Sequence, residues 1–167
     1  MDDSNPKETR KNMRKGIFLL PNMFTTAALF AGFYAIIAAM NGRFETAAIA
    51  IFLAGLLDGL DGRVARMTNT QSAFGAEYDS LSDMVSFGVA PALIVYLWSL
   101  VHLREVSVLM GKLGWLAAFI FATCAALRLA RFNTQIGVAD KRYFQGLASP
   151  AAAGVVMGAV WVCESSH

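Results

Sequence analysis

An all-α, polytopic membrane helix bundle is what this chain of 167 residues encodes, and three observations lead there. Hydrophobic residues make up 56% of it and charged ones 16%, against about 25% charged in ordinary soluble domains. Mean hydropathy is +0.50. Long uncharged runs recur along the chain, and the basic residues gather at alternate ends of them. The net charge of +2 is too small to argue for a nucleic-acid partner.

Residues 1–15 are polar and carry Lys7, Arg10, Lys11, Arg14 and Lys15, a basic tail suited to a membrane surface. Residues 16–167 follow as one membrane domain. Ile17 to Met40 is uncharged and long enough for a helix to cross a bilayer, which takes about 20 apolar residues. It also exceeds the apolar core of a signal peptide, so it reads as a retained first span. After the break at Asn41-Gly42-Arg43, a second apolar run extends from Phe44 to about Leu57 and continues as helix into the polar stretch 58–72. Residues 84–101 form a third span whose helix starts in the polar stretch before it. A fourth covers 113–127 and runs on to Phe132, and a shorter fifth covers Leu147 to Val162.

Five spans with the amino terminus in the cytoplasm put Lys7, Arg10, Lys11, Arg14, Lys15, Arg63, Arg66, Arg128, Arg131, Lys141 and Arg142 inside. Only Arg43, Arg104 and Lys112 then lie outside. That asymmetry follows the positive-inside rule. Cys124 and Cys163 lie far apart in apolar runs and read as buried, inert thiols. With His102 and His167 the only histidines and no CxxC spacing, the sequence argues against a zinc site and a histidine-based triad.

The chemistry-bearing segment is Asp58-Gly-Leu-Asp61-Gly62-Arg-Val-Ala65-Arg66, then eight residues, then Gly75-Ala-Glu-Tyr-Asp79-Ser-Leu-Ser-Asp83. Residues three or four apart share a helix face, so Asp58 pairs with Asp61 and Asp79 with Asp83. The short link predicts neighbouring helices whose carboxylate pairs meet at the inner membrane boundary. Two like charges 4 Å apart repel by about 4 kcal/mol at an effective dielectric near 20, so cations or protons must offset them. Oxygen ligands without Cys or His select Mg²⁺, Mn²⁺ or Ca²⁺. A calcium loop fails on spacing, since its twelfth position would be Asn69. Carboxylate-held metals suit displacement at phosphorus. Gly62 and Gly75 would let a phosphate approach the backbone, and Arg66 could pair with it. Each feature alone also has a plainer reading as helix end, turn or topology charge. Four intramembrane carboxylates together point to function.

These residues are similar, letter for letter, to the signature of the CDP-alcohol phosphatidyltransferase family, D-x-x-D-G-x-x-A-R, eight residues, G-x-x-x-D-x-x-x-D. The runs Leu20-Pro-Asn-Met-Phe-Thr25, Asp79 to Pro91, Arg128-Leu-Ala-Arg-Phe-Asn133 and Gly146-Leu-Ala-Ser-Pro150 resemble its phosphatidylserine synthase branch. The resemblance implies transfer of the phosphatidyl group of CDP-diacylglycerol to L-serine, with release of CMP. It further implies two divalent ions, Mg²⁺ or Mn²⁺, on Asp58, Asp61 and Asp79, with Asp83 as ligand or as the base for the serine hydroxyl. The nucleotide would contact Gly62, Arg66 and Gly75, with Asn22 and Thr25 shaping its site, and Arg128 or Arg131 would hold the serine carboxylate. A homodimer in the cell's inner membrane, with its site at the cytoplasmic face, is the expected setting. The family normally has six spans, so this chain is expected to lack the last. Gly154 and Gly158 form a GxxxG that could face that missing helix or a partner.

Three alternatives stand beside this reading. One is the same chemistry with glycerol 3-phosphate or inositol phosphate as acceptor. The others are a carboxylate-lined transporter and an inactive membrane subunit.

Overall fold

The computed structural model describes residues 6–68, 72–135 and 148–166, and the described residues are helical almost throughout. Helix α1 is Pro6–Met40, α2 Phe44–Thr68, α3 Ala73–Asp83 and α4 Ala90–Trp98. A short α5, Leu103–Val106, precedes α6, Val108–Gln135, and α7, Ser149–Ser165. Among the described residues, three stretches are long and apolar enough to cross a membrane: Asn22–Met40, Ala73–Trp98 and Val108–Thr134. Helix α2 carries too many charges at its two ends to join them, and α7 is only 17 residues long. Residues 1–5, Lys141, Arg142 and Gly146 lie outside the described residues, and residues 6–15 continue α1.

Helices α1 and α2 form the central hairpin. Gly42 ends α1 with φ of +70°, a conformation that costs a side-chain-bearing residue free energy. Its N–H donates to the Ala39 carbonyl at 2.9 Å, and that of Arg43 reaches back to Ala38 at 2.9 Å. These two bonds cap carbonyls that the last helical turn leaves open. The hairpin then packs alanine against alanine, with Ala31, Ala35 and Ala38 facing Ala47, Ala48 and Ala54 across a buried seam. Small residues let helices approach closely where apolar burial alone gives no advantage over lipid.

Helix α7 lies mainly against α2 and adds Ala153, Met157 and Val160 to the core. Its Gly154 and Gly158 face Phe52 of α2, so the GxxxG is used within the chain. Both cysteines are exposed on the bundle surface rather than buried, because each sits on the outward face of its helix.

Helices α3 and α4 are one continuous rod, joined by a widened π-helical turn at Met84–Val89. Pro91 explains the widening: it donates no N–H, and its ring crowds the carbonyl four residues before it. The Ala90 N–H bonds instead to Val85, five residues back. Such turns recur next to functional sites. The rod docks on α1 through polar contacts, Ser82 Oγ donating to the Thr25 carbonyl at 3.2 Å and Ser86 Oγ to Ala28 at 3.3 Å. Helix α6 covers the turn and α4 from outside and is itself little buried. At the end of the bundle remote from the aspartates, Trp98 Nε1 donates to Glu164 at 2.7 Å and Trp161 Nε1 to Glu45 at 3.3 Å.

Candidate metal and phosphate site

The last turns of α2 and the first turns of the α3 rod meet at one end of the bundle, and the four aspartates stand where they meet. Carboxylate oxygens of Asp58, Asp61 and Asp79 all lie within 4.8 Å of one another. The Asp83 carboxyl comes close enough to that of Asp58 to share a hydrogen bond. The two expected i, i+3 and i, i+4 pairs therefore converge, and Asp83 sits deepest along its rod.

Asp61 is buried, and its Oδ2 accepts a 2.8 Å hydrogen bond from Thr25 Oγ1, itself buried on α1. Asp79 Oδ1 and Asp83 Oδ1 are buried without a hydrogen-bond partner among the described residues. Orphaned buried oxygens are costly, and three carboxylates at this spacing repel by about 3 kcal/mol per pair at a dielectric near 20. A cation among them would relieve both penalties. The donor set consists of hard oxygens alone, with no Cys or His, so the residues present fit Mg²⁺ or Mn²⁺.

Gly62 is half-buried, yet a Cβ built there would meet nothing within 4 Å. Packing among the described residues does not require this glycine. Gly75 differs: a Cβ would stand 3.1 Å from Ser72 Oγ and 3.5 Å from Asn22 Oδ1. Asn22 and Gly75, distant in sequence, are thus neighbours beside the aspartates' helix. Ser72 caps α3 by accepting from the Gly75 N–H at 3.0 Å. Arg66 is exposed and bends back, with Nε on the Gly62 carbonyl at 2.9 Å.

The two arginines of α6 part company. Arg128 is half-buried, gives Nη1 to Ser149 Oγ at 3.1 Å and holds a buried Nε with no partner among the described residues. Arg131 is exposed. Sequence reasoning gave Asn133 no role, but its Nδ2 donates to Ser80 Oγ at 3.0 Å, tying α6 to the residue next to Asp79. The Thr25–Asp61 bond was missed as well. The available signal was the run of hydroxyls, Thr25, Ser82 and Ser86, on apolar helices, where polar groups seek partners.

Beside the aspartates an apolar groove of about 720 Å³ follows the α1–α2 seam, from Met23 and Leu57 past Phe30 and Leu53 to Tyr34 and Thr46.

Residues 18–165 match the family model described as CDP-alcohol phosphatidyltransferase. The chain belongs to this family. It is 41% identical over 151 residues to the CDP-diacylglycerol–serine O-phosphatidyltransferase of Helicobacter pylori J99, covering 90% of this chain and 61% of that protein. A protein of the same name from Mycobacterium tuberculosis is 41% identical over 154 residues, or 87% of this chain and 50% of the relative. The archaetidylserine synthase of Methanothermobacter thermautotrophicus is 38% identical over 136 residues, 80% of this chain and 54% of its own. The chain thus spans between half and about three fifths of the length of these relatives.

Proposed function

We propose that this chain carries the reaction centre of an enzyme that moves the phosphatidyl group of CDP-diacylglycerol to L-serine, giving phosphatidylserine and CMP. The observation that carries the reading is the convergence of four aspartates from two helices, two of them with buried oxygens left unpartnered among the described residues. The names of relatives at 38–41% identity support the substrates. The groove beginning one residue from Asp58 supports a donor with acyl chains.

Asp58, Asp61 and Asp79 would hold two divalent ions, Mg²⁺ or Mn²⁺, with Asp83 as a further ligand or as base. Bound there, the ions would supply positive charge to the diphosphate and to the oxygens entering and leaving phosphorus. The serine hydroxyl oxygen attacks the β-phosphorus, a P–O bond forms, the diphosphate P–O bond breaks, and CMP leaves. Asp83 accepts the hydroxyl proton. Gly62, with open space before it, and Gly75, with Asn22 beside it, line the nucleotide site, and Thr25 reaches it through Asp61. Arg66 unfolds from its own helix to meet the diphosphate. For the serine carboxylate, Arg128 is favoured by its unsatisfied Nε over the exposed Arg131.

In this reading five helices span the cell's inner membrane from a cytoplasmic amino terminus, with residues 1–15 on its surface and residues 16–167 as one domain. The site then opens at the cytoplasmic face, and the working unit is a homodimer. The test is CMP release from CDP-diacylglycerol by the purified protein, with and without L-serine and with the metal removed by chelation. Release that needs both serine and Mg²⁺ or Mn²⁺ is expected. Turnover with glycerol 3-phosphate or inositol phosphate instead would reassign the acceptor. Cation flux without CMP would overturn the enzyme reading.

A further inference from the structure

Thr25 touches both halves of the aspartate cluster from a helix that contributes no aspartate to it. Its hydroxyl donates to Asp61 Oδ2 on α2 at 2.8 Å, while its backbone carbonyl accepts from Ser82 Oγ, next to Asp83 on α3, at 3.2 Å. Thr25, Asp61 and Ser82 are all buried, so water does not compete for these bonds. One residue of α1 is therefore a shared anchor for the two helices that must bring their carboxylates together.

We infer that Thr25 is a positioning residue for metal binding, which rests on the reading that Asp61 is a ligand. The Thr25 hydroxyl donates to Oδ2 and so fixes the rotation of the Asp61 carboxylate. The carboxylate so held has an oxygen within 4.8 Å of oxygens from Asp58 and Asp79. A carboxylate held this way loses less side-chain freedom when a cation binds, and hydrogen bonds to ligating carboxylates raise affinity for that reason. Thr25 itself contributes no ligand.

The measurement is Mn²⁺ affinity of the purified protein, read by electron paramagnetic resonance as loss of the free-ion signal, with no substrate present. Thr25→Val keeps the shape and the β-branch but removes the donor. It should weaken Mn²⁺ binding by about 10-fold to 100-fold. Thr25→Ser keeps the donor and should bind within a few-fold of the parent. In an Asp61→Asn background, Thr25→Val should add no further loss. If valine does not yield folded protein, Thr25→Ala against Thr25→Ser makes the same comparison. Equal affinity of Thr25→Val and parent would overturn the inference and leave the metal site standing. So would equal losses in the serine and valine variants. A parent protein that binds no Mn²⁺ would overturn the metal reading itself, and this inference with it.

Discussion

Gly32 of α1 lies directly against Ser86 of the π turn: a Cβ at position 32 would stand 2.5 Å from Ser86 Oγ and 2.8 Å from its Cα. The backbones of α1 and the α3–α4 rod are closer here than any side chain allows. Gly32→Ala must therefore push the rod away from α1. It should cost about 1–3 kcal/mol of stability, measured by thermal or denaturant unfolding in detergent. Ser86→Ala should not rescue it, because the Cα and Cβ clashes remain. An alanine variant as stable as the parent would show that the rod does not dock as described.

Asp83→Asn separates chemistry from stability. One oxygen of the Asp83 carboxyl, Oδ1, has no hydrogen-bond partner among the described residues, and the group lies beside the carboxyl of Asp58. Turnover should fall by about 10²- to 10⁴-fold, as for loss of a general base, while the melting temperature stays equal or rises. Full activity in this variant would remove Asp83 from the base's role.

Gly62→Ala should act in the opposite place. Its added methyl meets no atom of the described residues, and alanine in a helix is favoured over glycine by about 0.5–1 kcal/mol, so stability should not fall. If nucleotide occupies that space, overpacking of about 1–3 kcal/mol should raise the KM for CDP-diacylglycerol by at least several-fold. An unchanged KM would move the nucleotide elsewhere.

Arg128→Lys keeps the charge but loses the orphaned Nε. Loss of a hydrogen bond to a charged group is worth about 1.5–3 kcal/mol, so the KM for serine should rise about tenfold or more while that for CDP-diacylglycerol is unchanged. Equal effects on both substrates would make Arg128 a strut between α6 and Ser149 rather than an acceptor residue.

The features legible in the sequence were those set by period and composition. Apolar runs located the helices, and the i, i+3 and i, i+4 spacing predicted a meeting that the structure contains, with Asp58, Asp61 and Asp79 clustered and Asp83 beside Asp58. Helix ends were less legible: the third span reads as running to residue 101 from a helix that starts in the polar stretch before 84, and the rod does start there, at Ala73, but stops at Trp98. Polar residues at its start still turn one face to α1, which period alone does not reveal. The π turn depends on the combination of Pro91 with tight packing at Gly88, whose Cβ would meet Met84 and Ala125 at 3.1–3.2 Å. Partners such as Thr25 with Asp61 or Ser80 with Asn133 are 36 and 53 residues apart, and spacing along a chain does not report contacts at such range. The GxxxG of α7 was legible as a close-packing site, but not its partner Phe52.

The apolar groove opens along the flank of the bundle and ends one residue short of Asp58. A lipid could settle sideways into it from the surrounding bilayer, its tails staying in oil while its phosphates arrive at the carboxylates. Lifting those tails into water would cost about 0.8 kcal/mol for every methylene, and this architecture makes that extraction unnecessary. In the proposed reaction the soluble reactant would come from the aqueous side and the greasy one from within the membrane, so neither would have to cross the other's phase.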